Sequence, residues 1–166
     1  MNTTRIPVGH RGMYIHIPFC RQKCTYCDFP SYQGLEDYFD VYAYALRQEI
    51  ESNQAFLGTE PFDTIYFGGG TPTVLSIKEL NRILETVYKT YTVSSDVEIT
   101  IEANPGEVDA QYLKQLHELG INRISFGVQT LRDDHMRVLH STHTAKMAQQ
   151  AVLDAHEVGF RNISID

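Results

Sequence analysis

The chain of 166 residues has no tryptophan, only three cysteines, and 14 lysines and arginines against 21 aspartates and glutamates. The scarcities exclude several classes of protein. Cys20, Cys24 and Cys27 are an odd number packed closely together, so they are not a disulfide framework. In a reducing compartment, cysteines this close bind metal or do chemistry. The formal net charge of −7 argues against nucleic acid as the main partner, because phosphate binding needs clustered Lys and Arg. The single basic cluster, Arg21-Gln22-Lys23, reads equally as solvation of a loop or as a docking point. No apolar run approaches the ~20 residues of a membrane helix. Residues Met1 to Gly12 lack the hydrophobic core of a signal peptide. The remaining composition, 42% hydrophobic and 21% charged, is that of one globular domain, and the expected location is the cytoplasm.

What is present alternates. Short β-rich runs are expected at Met13–Pro18, Thr64–Gly68, Val97–Ala103, Arg123–Gln129 and Asn162–Asp166. Helical patterns lie near Leu35–Phe56, Ile77–Thr90, Asp109–Leu119 and Ala145–Val158. Ser76 and Glu79 read as a capping box, and Gly120 and Gly159 stand where a left-handed C-cap needs glycine. A β-α-β-α series predicts a parallel sheet with right-handed crossovers. The stretch His117 to Ser125 recurs as His156 to Ser164, each copy a helix end, a glycine and the next strand. A repeating unit of this kind favours a barrel-like wall over a doubly wound sheet. The fold class expected is α/β: a partial TIM-type (β/α) barrel of parallel strands.

Two-residue alternation separates the strand faces. Ile15, Ile17, Ile65, Phe67, Ile99, Ile101, Ile124, Phe126, Val128, Ile163 and Ile165 share apolar faces that must meet the helices. The opposite faces carry Tyr14, His16, Tyr66, Thr100, Glu102, Ser125, Gln129, Ser164 and Asp166. A closed eight-stranded barrel fills its interior with bulky branched residues. This interior is polar instead, with Glu102, Gln129 and Asp166 at the strand ends where parallel α/β sheets bind ligands. An antiparallel sheet with one wet face is the alternative, but the long helical connections oppose it. Asp166 ends a strand with no helix to follow, so a longer protein is expected to continue from it.

Cys20-Arg-Gln-Lys-Cys24-Thr-Tyr-Cys27 has the spacing C-x3-C-x2-C, just after the first strand. Structural zinc usually takes four protein ligands. Only three thiols exist here, with His16 and Asp28 as the nearest fourth candidates. A cubane 4Fe–4S cluster is normally held by four cysteines, and three would leave one iron open to a small molecule. The spacing favours the cluster and leaves zinc as the alternative. Gly68-Gly69-Gly70-Thr71-Pro72-Thr73 follows the second strand. It reads as a tight turn or as a place where a ligand meets bare backbone.

These residues carry a family resemblance. Cys20 to Cys27, with Tyr26 as the aromatic, resembles the C-x3-C-x-aromatic-C signature of the radical S-adenosylmethionine (SAM) superfamily. Tyr14-Ile-His-Ile-Pro-Phe-Cys20, Gly68 to Thr73, Ile101-Glu-Ala-Asn-Pro105 and Phe126-Gly-Val-Gln129 resemble, more closely, the oxygen-independent coproporphyrinogen III oxidase group, which includes the HemW-type haem chaperones. The likeness runs from about Tyr14 to Asp166. It implies that residues 13–166 are the first part of a radical SAM core, after an extension at 1–12, and that the rest of the barrel and a C-terminal domain follow. It implies a 4Fe–4S cluster on Cys20, Cys24 and Cys27, with SAM on its open iron. Tyr14, Tyr26, Gly69, Gly70, Thr71, Glu102, Gln129 and Asp166 match positions lining the SAM site.

Two departures stand out against that family. True coproporphyrinogen oxidases carry a further cysteine where this chain has Phe29, which favours the haem-chaperone branch. Ser141 stands where relatives usually carry an arginine that contacts SAM. His140 and His143, beside it, are expected to be solvated loop residues rather than haem ligands. The implied function is a chaperone that binds cluster, SAM and haem and delivers haem to an acceptor protein. Its partners would be haem or a porphyrin, an electron donor such as flavodoxin or ferredoxin, and that acceptor, with the membrane reached only through the acceptor. Oxidative decarboxylation of coproporphyrinogen III is the enzymatic alternative. Protein reconstituted anaerobically should bind about four irons per chain, as a cubane does. Replacing any one of Cys20, Cys24 or Cys27 by Ala should remove most of them, and stoichiometric zinc without iron uptake would refute the assignment.

Overall fold

The computed structural model describes residues 11–166. The expected extension at 1–12 lies almost wholly outside the described residues. Strands β1 (Gly12–Ile17), β2 (Phe62–Gly69), β3 (Val93–Ala103), β4 (Arg123–Phe126) and β5 (Asn162–Ile165) form one sheet in the order β1-β2-β3-β4-β5. Every pairing is parallel, so each strand must be returned to its start by a crossover. The crossovers contain α1 (Phe39–Ser52) with the short α2 (Gln54–Leu57), α3 (Ile77–Thr90), α4 (Ala110–Glu118), and α5 (Asp133–Val138) with α6 (Ala145–Val158). A strand order that never reverses is the wall of a (β/α) barrel; a doubly wound sheet changes direction at its switch point. Among the described residues, no helix is long and apolar enough to cross a membrane.

The alternation seen in the sequence becomes two distinct faces. Ile15, Phe67, Ile101, Ile124 and Ile163 are register partners in one row across all five strands. The first four are buried and Ile163 is half-buried. Helices close over this face with apolar stripes of their own. In α3, Leu80, Ile83, Leu84 and Val87 follow helical spacing and are all buried. Tyrosines tie the layers together: Tyr42 of α1 donates its hydroxyl to the carbonyl of His16 on β1 at 2.6 Å, and Tyr91, just after α3, donates to that of Ile50 in α1 at 2.6 Å. On the other face, Tyr14, Tyr66, Thr100, Arg123 and Asn162 make the corresponding polar row.

Local signals place the element ends. Ser76 Oγ accepts from the Glu79 N–H at 3.2 Å. Only half of the capping box forms, because the Glu79 carboxylate pairs with Arg82 at 2.8 Å instead. Both copies of the sequence repeat end a helix the same way. Gly120 has φ +90° and Gly159 φ +123°, and the following residues donate back five positions, Ile121 to Leu116 and Phe160 to Ala155, as in a Schellman cap. The repeats then lie side by side, with Ser164 Oγ donating to Ser125 Oγ at 2.8 Å.

Several elements differ from expectation, among them β3, which begins at Val93 rather than Val97. The fourth strand stops at Phe126 rather than Gln129: the Val128 N–H folds back onto the Phe126 carbonyl, and Gln129 takes φ +63°. The long helix expected over 35–56 breaks at Asn53, whose side-chain amide binds the Glu49 carbonyl at 2.9 Å. Helix α5 has no sequence signal strong enough to expect; it buries only Met136. Ser76→Ala should cost about 1 kcal/mol of stability, read as a lower urea midpoint with unchanged slope; an unmoved midpoint would mean the cap is not needed to start α3.

Candidate cluster and cofactor site

The C-terminal ends of the strands open onto one cleft. It is lined by Cys20, Cys24 and Cys27, by Tyr26 and Phe29, by Gly69, Gly70 and Thr71, by Glu102 and Asn104, and by Ser125, Gln129 and Asp166. Of the residues matched to the cluster and SAM positions in the sequence, all line this cleft except Tyr14. That side chain stands further back on β1, largely exposed, stacked on Tyr66 at 6.0 Å with its hydroxyl 3.0 Å from His16 Nδ1.

The cysteines sit on a loop whose ends are tied together. Cys20 donates its N–H to the Tyr32 carbonyl at 2.9 Å, and Tyr32 donates to Pro18 at 2.7 Å. Inside the loop, Lys23 Nζ donates to the Phe29 carbonyl at 2.7 Å and to the Ser31 carbonyl at 3.3 Å. Gln22 Nε2 reaches the His140 carbonyl at 3.1 Å, and Arg21 Nε lies 3.8 Å from Glu107 Oε2. The basic cluster is exposed, as the solvated-loop reading expects, and its side chains also reach partners within the chain. The three thiols are free and half-buried. Burial and a hydrogen bond with Cys24 push the Tyr26 phenol well above its usual range.

The glycine turn is shaped by what lies behind it. Gly69 has φ +116°, and a Cβ there would fall 2.5 Å from the His16 ring. A Cβ on Gly70 would fall 2.5 Å from the Phe19 carbonyl oxygen. The turn therefore presses directly against the start of the cysteine loop, with Gly70 N–H on Ile17 and Thr71 N–H on Phe19. Glu102 holds it from the other side: one carboxylate oxygen accepts from the Tyr66 hydroxyl at 2.7 Å, the other from the Gly69 N–H at 3.1 Å. At the far wall, Asp166 accepts from Ser125 Oγ at 3.2 Å and its carbonyl takes the Gln129 N–H at 2.8 Å.

Three thiols lining one cleft fit a group held by three cysteines. Among the described residues, no three Cys, His, Asp or Glu side chains gather around one ion-sized point. His16, the nearest candidate for a fourth zinc ligand, is engaged with Tyr14. A cubane needs no such convergence, since each cysteine meets a different iron. Gly69 and Gly70 line the cleft beside the thiols, and their missing Cβ atoms make room for His16 and Phe19 behind the turn.

Comparison with known proteins places this geometry. The radical SAM superfamily model matches residues 14–166. The chain belongs to that superfamily. It is 42% identical to the haem chaperone HemW of Bacillus subtilis over 94% of this chain and 41% of that protein. It is 37% identical to HemW of Escherichia coli over 93% of this chain and 41% of that protein. Coproporphyrinogen III oxidase (HemN) of Escherichia coli, a radical SAM enzyme, superposes with a TM-score of 0.89 at 29% identity, covering 98% of this chain and 38% of the oxidase. The chain therefore spans about two fifths of the length of these relatives.

Several cleft residues of this radical SAM chain escaped the sequence reading. Asn104 sits inside a motif noted for its resemblance, yet nothing in the pattern marks it as facing the thiols. The alternation places Tyr66 on the polar face of β2 but gives it no role; it reaches the cleft through Glu102. His143, expected to be solvated, is 7% exposed; its Nδ1 lies 3.0 Å from Ser141 Oγ. Burial pushes its pKa down, against a contact with the Val128 carbonyl. His140 is exposed, as expected. Burial raises the Tyr66 phenol, with the Glu102 hydrogen bond adding. A raised folded value means a stabilising contribution intact below the ordinary tyrosine pKa of about 10 and lost as pH climbs above it. Between about pH 10 and 12, stability should therefore fall more steeply in the wild type than in Tyr66→Phe; parallel curves of denaturation midpoint against pH would contradict this.

Proposed function

We propose that this chain is the cluster- and SAM-binding part of a cytoplasmic haem chaperone. The observation that carries the proposal is the composition of the cleft. Three thiols, a glycine turn and the Glu102 and Asp166 carboxylates share it, while Phe29 stands where the oxidase branch has a further cysteine. The identity to HemW proteins supports the same branch. Haem would pass through the protein to an acceptor, and flavodoxin or ferredoxin would supply electrons.

In this reading Cys20, Cys24 and Cys27 hold three irons, and the open iron takes the amino and carboxylate groups of SAM. When bound, a reduced cluster of this kind supplies one electron to SAM. The chain's own residues do the positioning. Gly69 and Gly70 offer backbone without side-chain obstruction. Glu102 fixes the turn by accepting from Gly69, and leaves Tyr66 protonated against it. Gln129 and Asp166 close the wall opposite the thiols, and Tyr26 flanks the mouth.

The fold likeness to HemN favours one second reading, oxidative decarboxylation of coproporphyrinogen III. The natural full-length protein decides between them. Reconstituted anaerobically, it should bind haem with a shifted Soret band and pass it to a haem-free acceptor. With SAM and a reductant it should leave coproporphyrinogen III unchanged. Decarboxylation at many turnovers per chain, without haem binding, would transfer the chain to the oxidase branch.

A further inference from the structure

One chain of polar contacts leads from the surface to a cysteine sulfur, and the proposed function does not use it. Thr71 Oγ1 lies 3.6 Å from Cys20 Sγ as donor. Asn104 Nδ2 donates to Thr71 Oγ1 at 3.1 Å and to Glu107 Oε1 at 3.1 Å. Glu107 Oε2 faces Arg21 Nε at 3.8 Å, and Arg21 directly follows Cys20. The path therefore starts and ends on the cysteine loop, crossing the glycine turn and the exit of β3.

Each link constrains the next. A threonine hydroxyl has one proton and two lone pairs. With Asn104 donating to the oxygen, the proton is left free to point at the sulfur. The sense of the Asn104 amide is set in turn by Glu107, because a flipped amide would put its oxygen against a carboxylate oxygen. Glu107 is itself held in place. The Glu107 N–H donates to the Asn104 carbonyl at 3.0 Å, closing a turn with Pro105 at its second position, where proline suits the backbone. The Glu107 side chain is only 7% exposed. A buried carboxylate left unpaired is strongly unfavourable, so Arg21 is its natural counter-charge.

We infer that Asn104 and Glu107 are positioning residues that hold the Thr71 hydroxyl as a donor to the Cys20 sulfur, and thereby set the reduction potential of the cluster bound there. The inference rests on the reading that Cys20, Cys24 and Cys27 ligate an iron–sulfur cluster. Hydrogen bonds to cluster sulfurs are among the determinants of potential. A donor stabilises the more negative, reduced state, so losing it makes the cluster harder to reduce. Arg21 and Glu107 carry opposite charges and add little net field, so it is the oriented hydroxyl through which this path acts on the Cys20 sulfur.

The test uses the natural full-length protein, reconstituted anaerobically and kept free of SAM, because Thr71 also lines the proposed SAM site. Iron content and the midpoint potential are measured on each variant, with the electron paramagnetic resonance of the reduced state as a second signature. Thr71→Val and Asn104→Ala should keep full iron content and shift the midpoint to more negative values. Thr71→Ser, which retains the hydroxyl, should restore it. The two losses act through one hydrogen bond, so the double variant should match Thr71→Val alone rather than sum the two shifts. Glu107→Gln, which can still accept from Asn104, should stay nearer the wild type than Glu107→Leu. If Thr71→Val loses the cluster, Asn104→Ala carries the comparison, since it leaves Thr71 in place. Iron-loaded variants with the wild-type midpoint, or strictly additive shifts, overturn the inference. A wild type that takes up no iron overturns instead the cluster assignment beneath it.

Discussion

A single row of apolar side chains, Ile15, Phe67, Ile101, Ile124 and Ile163, ties the five strands into one register. Strand side chains alternate strictly, so fixing this row against the helices also fixes what stands on the other face. A slip of one residue in any strand would exchange the two sets. The positions of Glu102, Ser125 and Ser164 beside one another follow from packing that none of them takes part in. The cleft is polar because its residues are the complement of a hydrophobic row, and it lies at the strand ends because the glycine turn and cysteine loop leave the sheet there.

The parallel sheet and its sequential order were legible in the sequence because period-two strands and period-3.6 helices alternate cleanly. The repeat around Gly120 and Gly159 even announced its own cap geometry. The end of β4 was not legible, since Val128 continues the apolar alternation and is buried, although the backbone has already turned. Hydrophobic pattern reports burial, and at that point burial and strand geometry part company. The break at Asn53 was hidden for a related reason: the residues after it still favour helix, and only local bonds from the Ser52 and Asn53 side chains to the Glu49 carbonyl mark the end of the first segment.

The cleft itself was read more fully than its supports. Cysteine spacing and glycine runs are visible because they are chemically unusual. Asn104, Tyr66 and Glu107 are ordinary residues whose importance comes from where long-range pairing places them. Tyr66 meets Glu102 across 36 positions of sequence, and Asn104 meets Thr71 across 33. No local pattern encodes such a meeting. His143 was misjudged in the same way, because the loop that covers it folds back onto the strand exits.

The closed ends of the cysteine loop bear on the order of assembly. Closing a flexible loop costs entropy that grows with its length. Here the pairing of Cys20 and Pro18 with Tyr32, and the three-way grip of Lys23 on Phe29 and Ser31, meet that cost through the polypeptide alone. In the proposed reading, an incoming cluster would meet three thiols already held on one rim. Loading of the cluster would then be a step distinct from closing the loop.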